Sequence, residues 1–256
     1  MGRVISICSQ KGGVGKTTTA INLAASFSNL SKKVLLIDID PSANTSKGFG
    51  LDVATIDNNV FNVLTNKISL KKSLQKINPN LDLISSSFAL MQLQDHFDSE
   101  DNKLFSLKEK LDTIKDNYDY IFIDCPPTLG VLTNIALCAS DSVLIPVQCE
   151  SFSMQSITQL LGLISNIQSN INPKLVIEGF VVTMFDVKSN LHASLYQDIK
   201  LMFRENLFST IIPRNISIPE SILKGIPVVY YRPTSSGSYA YIALAREIID
   251  KDENNF

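Results

Sequence analysis

The chain has 256 residues, 45% of them hydrophobic and 19% charged, a composition that can bury a sizeable core and that excludes disordered, low-complexity and collagenous readings. With 23 Lys and Arg against 25 Asp and Glu the formal charge is −2, so no global positive field exists to hold nucleic acid and any such binding must come from a local patch. No run approaches the roughly 18 consecutive apolar residues of a membrane span, and the start MGRVISICSQ lacks the apolar core and cleavage site of a signal peptide; a cytosolic protein is expected.

Taken in chain order, short runs rich in Val, Ile and Leu predict strands at 3–9, 33–39, 81–85, 119–124, 142–147 and 175–183, with a weaker one at 209–212. Helical spacing between them predicts helices over 17–30, 88–97, 104–116, 130–139, 153–169, 191–206, 217–224 and 236–250. The irregular stretch 42–80, rich in Asn, Ser and Lys, is expected to carry short rim helices at 58–65 and 69–77. Strands that are apolar without alternation are buried on both faces, and β and α elements in alternation imply right-handed crossovers. The expected fold is therefore α/β and doubly wound, a mostly parallel sheet with helices on both faces, forming a single domain over 1–256. Ligands of such sheets sit at the carboxyl ends of the strands. Cys8, Cys125, Cys138 and Cys149 lie in or beside apolar runs without CxxC spacing, so reduced, mostly buried thiols are expected and neither a zinc site nor an iron–sulfur cluster. His96 and His192 stand on separate segments and receive no role.

The first strand runs straight into Gln10-Lys-Gly-Gly-Val-Gly-Lys-Thr-Thr18 and then into a helix with Ala20, Leu23, Ala24 and Phe27 on its apolar positions. Three glycines in four residues let the backbone curl until successive N–H groups face a phosphate, and the helix N-terminus adds its positive end. Gly12, Gly13, Val14, Gly15, Lys16, Thr17 and Thr18 form this cradle, with Lys16 reaching the β- and γ-phosphates and the Thr17 hydroxyl holding Mg²⁺. Gln10 replaces the first glycine of the ordinary P-loop pattern, and an additional lysine, Lys11, follows it. Asp38 and Asp40 end the second strand; one of them could bind Mg²⁺ or order a water while the other supports the loop, and an Asx turn is the plainer alternative. Asp124 ends the strand DYIFID ahead of Pro126 and Pro127, fitting a Walker B carboxylate that holds Mg²⁺ through water.

The string KGGVGKTT at 11–18, with LLIDIDP (35–41), YDYIFIDCPPTLG (118–130), ALCASDSVLIPVQCES (136–151), TMFD (183–186), IIPRN (211–215) and the segment 225–249, resembles the ParA/MinD ATPases with a deviant Walker A motif, and most closely the ParA/Soj partition proteins. The resemblance covers nearly the whole chain. It implies ATP and ADP as nucleotides with Mg²⁺, and slow hydrolysis in which Lys16 and Lys11 are catalytic and Asp40 positions the attacking water, with Asp40 also a candidate for holding the metal through water. Lys11 would cross to the γ-phosphate of the other subunit in an ATP-bound homodimer, as an arginine finger would. Gly12 would admit the opposing loop, Glu150 would lie at the dimer interface near the ribose, and Pro213 with Asn215 would flank adenine. Plainer readings of these residues are a turn glycine, a solvated loop residue and a turn-forming Pro-x-Asn. Two departures stand out: Ser42 follows Pro41 where the family usually has Gln, and Ser217 stands where it often has Arg.

As a partition protein the chain is expected to bind duplex DNA without sequence preference, to be stimulated by a ParB-type centromere-binding partner, and to be cytoplasmic and nucleoid-associated. Between 187 and 232, Lys188, Lys200, Arg204, Arg214, Lys224 and Arg232 face only Asp198, Glu205 and Glu220, a local positive balance suited to phosphate contacts, although such cations are often just a solvated face. The P-loop begins too early for a preceding helix-turn-helix domain, so no sequence-specific repression is expected. The main alternative is a MinD-like membrane-cycling ATPase that positions a division site or cargo, and a second is a metabolic or cluster-assembly relative. The acidic segment REIIDKDENNF (246–256) would be repelled by anionic lipid, so no membrane partner is expected.

Overall fold

The computed structural model describes residues 2–96, 103–149 and 154–254. Eight strands, β1 (Arg3–Ile7), β2 (Val34–Asp38), β3 (Gln75–Asn78), β4 (Leu81–Ile84), β5 (Tyr120–Asp124), β6 (Ser142–Gln148), β7 (Val176–Phe185) and β8 (Leu207–Pro213), form one sheet in the order β3-β4-β2-β5-β1-β6-β7-β8. Every pairing is parallel except β3 with β4. The helices are α1 (Lys16–Asn29), α2 (Asn44–Gly48), α3 (Val60–Leu64), α4 (Met91–His96), α5 (Ser106–Asp112), α6 (Val131–Ala139), α7 (Met154–Asn170), α8 (Asn190–Phe203), α9 (Ser217–Leu223), α10 (Val228–Tyr231) and α11 (Ser236–Asn254).

The unbroken apolar runs of β2 and β5 are buried at every residue, as the two-faced burial of central parallel strands requires. Alternate side chains feed two cores. Val4, Leu35, Ile37, Ile121 and Ile123 join one with α6, α7 and the end of α8, while Ile5, Ile7, Leu36 and Phe122 join the other with α1 and α11. Phe27 of α1 lies 4.4 Å from the Tyr120 ring and 5.1 Å from Phe122, and burying one such side chain contributes about 1.5–3 kcal/mol. At the amino edge of the sheet Arg3 pairs with Glu178 and Asp252, and the Tyr120 hydroxyl donates to Asp252 at 2.8 Å, so the acidic end of α11 is tied to the body.

The expected doubly wound, mostly parallel sheet is present. Three expectations need correction. The predicted helix 69–77 is a single 3-10 turn, Leu70–Ser73, followed by the antiparallel edge strand β3, where β4 supplies hydrogen bonds that local spacing does not reveal. Predicted helices 104–116 and 191–206 stop at Asp112 and Phe203 and continue as 3-10 turns. The two short helices α2 and α10 were not visible as periodic segments, because four or five residues do not complete a second turn. All four cysteines are buried thiols outside any disulfide. His192 is buried too, its Nδ1 accepting from the Asp186 N–H at 2.9 Å, where it closes the β7–α8 turn.

Candidate nucleotide site

Parallel register brings the chemistry to one rim. Ile7 and Asp38 are both level with Asp124 across neighbouring strands, so the loop leaving β1 and the carboxylates ending β2 and β5 share the carboxyl edge. In that loop Gly13 and Gly15 have φ of +77° and +87°, conformations that side chains with a Cβ adopt only with strain. Gly15 caps α1, whose first residue, Lys16, is only 6% exposed. Its ammonium reaches back to the Lys11 carbonyl at 3.3 Å. Burial lowers the Lys16 pKa, while the charges of Asp124 and Asp40 oppose that shift. A Cβ added at Gly12 or Gly13 would meet nothing within 4 Å, so the outer lip of the loop is open.

Asp124 is fully buried. Burial pushes its carboxyl up to about 6, against hydrogen bonds from the Thr45 and Thr17 hydroxyls. Its Oδ2 accepts from Thr45 Oγ1 at 2.6 Å, and its Oδ1 has no hydrogen-bond partner among the described residues. A buried carboxylate oxygen left without a donor costs free energy, and beside the Thr17 hydroxyl it is suited to a hydrated divalent cation. The residues therefore fit Mg²⁺. Asp38 is also fully buried; burial and the neighbouring Asp124 hold its carboxyl well above the usual range. Its two oxygens accept from the Asp40 N–H and from the N–H and hydroxyl of Ser46. Asp38 supports the loop, leaving Asp40, half-buried just past the strand end, as the second carboxylate whose charge acts on Lys16 and Asp124. Asp40 also forms the anticipated Asx turn, accepting from the Ser42 N–H at 2.9 Å.

Beyond Gly15 and Thr18 a cavity of about 470 Å³ opens, walled by Met184, Pro213, Asn215 and Tyr241. Pro213 and Asn215 thus lie next to the phosphate loop although some two hundred residues separate them. Sequence reasoning missed Thr183, Met184 and Tyr241. Thr183 Oγ1 lies 2.7 Å from the Val14 carbonyl and 3.2 Å from that of Val147, pinning the loop to β6 and β7, and the string TMFD was the available signal. Glu150 lies outside the described residues.

The six basic residues are not brought together. Lys188 and Arg214 follow the carboxyl ends of β7 and β8, and Arg232 donates to Ser217 Oγ at 3.2 Å, at the start of α9. Lys224 caps the far end of α9. α8 runs back across the sheet, so Lys200 and Arg204 lie toward the amino edge, where β8 begins. A guanidinium is present at Ser217, but it comes from another segment.

A family described as "AAA domain" matches residues 2–177. Over 97% of this chain and 98% of its own length, the sporulation initiation inhibitor protein Soj of Bacillus subtilis is 40% identical. The chain belongs to the ParA/Soj family of partition ATPases. The chromosome partitioning protein ParA of Myxococcus xanthus is 38% identical over 98% of this chain and 89% of its own. Among solved structures, a putative plasmid partition protein from Borrelia burgdorferi bound to AMPPNP superposes with a TM-score of 0.82 at 28% identity, covering all of both chains. Cobyrinic acid a,c-diamide synthase from Mycobacterium smegmatis with bound ADP and magnesium superposes at 0.88 with 26% identity, covering 100% of this chain and 97% of its own. The shared backbone thus serves metabolic chemistry elsewhere, but sequence identity places this chain with the ParA/Soj proteins. No described helix is long and apolar enough to cross a membrane. The apolar face of α11, with Tyr241, Leu244, Ala245 and Ile248, is buried in the core and is not presented to lipid, which favours partition over the membrane-cycling alternative.

Proposed function

We propose that this ParA/Soj chain is an ATPase that dimerises on ATP, binds duplex DNA nonspecifically as the dimer, and releases it after hydrolysis stimulated by a ParB-type partner. The observation that carries the reading is the position of Lys11 and Gly12 on the open lip of a loop whose floor holds Lys16, Thr17 and Asp124. Loop N–H groups from Gly12 to Thr18 bind the phosphates, and Lys16 supplies the fixed positive charge beneath them. Pro213 and Asn215 orient the base in the adjoining cavity, with Glu150 proposed near the ribose of the dimer. Bound Mg²⁺, held by Thr17 and through water by Asp124, with Asp40 a further candidate, would neutralise charge on the β- and γ-phosphates. Asp40 orients the attacking water, and Lys11 from the partner copy offsets the charge that develops on the transferred phosphoryl group.

The names of a chromosome partitioning relative and a putative plasmid partition protein support a partition role. For DNA, the carboxyl-edge cations Lys188, Arg214 and Arg232 are the preferred set, and Lys224, Lys200 and Arg204 are secondary. Light scattering of wild type, Lys11→Ala and Asp40→Ala in ATP tests the reading. The expected result is a wild-type dimer that reverts as ATP is consumed, a Lys11→Ala monomer that still binds nucleotide, and a persistent Asp40→Ala dimer. Unchanged dimerisation and turnover in Lys11→Ala, or an Asp40→Ala protein that stays monomeric in ATP, contradicts it.

A further inference from the structure

The segment that follows Asp40 is fastened to the metal-side carboxylate by a residue with no assigned role. Thr45 and Ser46 open α2 and are both fully buried. Thr45 Oγ1 donates to Asp124 Oδ2 at 2.6 Å, while Ser46 donates to Asp38 Oδ2 from its N–H at 3.0 Å and its hydroxyl at 2.9 Å. Ser86, just past β4, donates from its N–H to Ser46 Oγ at 3.2 Å and from its hydroxyl to the Asp40 carbonyl at 2.5 Å. The connection back to Asp40 is short and internally bonded: the Ala43 N–H donates to the Asp40 carbonyl at 2.9 Å, Ala43 has a left-handed φ of 54°, and the Lys47 ammonium donates to the Ser42 carbonyl at 2.9 Å. The Asp40 turn and α2 therefore form one hydrogen-bonded unit seated on the ends of β2, β4 and β5.

We infer that Thr45 is a positioning residue that couples Mg²⁺ occupancy at Asp124 to the conformation of residues 40–48, and through them to the placement of Asp40. Thr45 and the proposed metal water use the same carboxylate, one on the oxygen already bonded and the other on the side that has no partner. At a carboxylate buried from bulk solvent, filling one oxygen alters the orientation and acceptor strength that the other offers. A displacement there passes along α2 to Asp40 through the hydrogen bonds that tie Ala43, Lys47 and Ser86 to the turn. Linkage makes the coupling reciprocal: whatever holds residues 40–48 in the seated arrangement also strengthens metal binding.

The inference rests on the proposed metal site, and the experiment separates the two. Affinity for a nonhydrolysable ATP analogue is measured with Mg²⁺ and with EDTA for wild type, Thr45→Val and Thr45→Ser, together with amide hydrogen exchange across residues 42–49. Wild type and Thr45→Ser should bind the analogue about tenfold or more tightly with Mg²⁺ and should slow exchange in 42–49 when the metal is added. Thr45→Val, which keeps the shape and removes the donor, should match wild type in EDTA, lose most of the Mg²⁺ enhancement, and show exchange in 42–49 that no longer responds. A Thr45→Val protein with the full enhancement and the full response overturns the coupling while leaving the metal site intact. A wild type with no Mg²⁺ enhancement overturns the metal site and the coupling with it. Should Thr45→Val fail to fold, a Mg²⁺ titration of wild type decides: protection of 42–49 must rise with the same midpoint as metal-dependent affinity, and protection indifferent to metal overturns the coupling.

Discussion

At the scale of single residues, the rim is destabilised by its own charges. Burial moves the Asp124 carboxyl from 3.8 to about 6, so between those values the folded chain keeps a proton that the unfolded chain has released. The contribution of this group to stability is complete below the lower value and is lost as pH rises through the upper one. At neutral pH and without metal, ionised Asp124 therefore opposes folding. Asp124→Asn, which can still accept from Thr45, should raise metal-free stability at pH 7.5 by on the order of 1–3 kcal/mol, and its advantage should shrink as pH is lowered to 5. Thermal denaturation of both proteins over that range checks it; a wild type that is the more stable at pH 7.5, or a pH-independent difference, is the contrary result. Such cost at a functional site is ordinary, since catalytic geometry and stability select different residues. The placement of Lys16, Asp124 and the glycines on one rim was legible because each lies where a strand ends and a helix or turn begins. Spacing alone did not separate Asp38 from Asp40, and only the family resemblance pointed to Asp40; the fold adds that Asp38 is spent on Ser46 and the Asp40 N–H.

At the scale of elements, the phosphate helix is held by polar as well as apolar contacts. Asn22 in α1 is fully buried; its Oδ1 accepts from the Val228 N–H of α10 at 2.7 Å and its Nδ2 donates to the Thr18 carbonyl at 2.8 Å. Asn22→Leu would leave that buried N–H unpaired and should destabilise the protein by about 1–3 kcal/mol, lowering the unfolding midpoint in urea. A midpoint within error of wild type would mean that α10 finds another acceptor. Long, strongly apolar segments were readable in outline because their burial is continuous, whereas β3 and α2 depend on partners far away in sequence. β3 exists by pairing with β4, and α2 by bonds to Asp38 and Asp124. The edge strand β8 is closed in a similar non-local way: Glu247 of α11 accepts from the Ser209 and Thr210 N–H groups at 2.6 and 3.0 Å, which occupies donors that would otherwise be free to pair with another strand.

At the scale of the whole molecule, a net charge of −2 leaves DNA binding to geometry. One copy offers a few separated cations at its carboxyl edge, too few for firm sequence-blind attachment, and two copies joined across the nucleotide would double them. Affinity for phosphates grows with the number of cations presented together and falls with salt for the same reason. In the proposed cycle, dimerisation through Lys11 and DNA binding would be consequences of one ATP-dependent event, and Ser217 bonded by Arg232 keeps a guanidinium on that edge. The direct test is binding of the purified protein to an arbitrary duplex with ATP, with ADP and without nucleotide, across a salt series. The account predicts binding with ATP alone, indifferent to sequence and falling steeply as salt rises. Equal binding in all three states, or none in any, would contradict it.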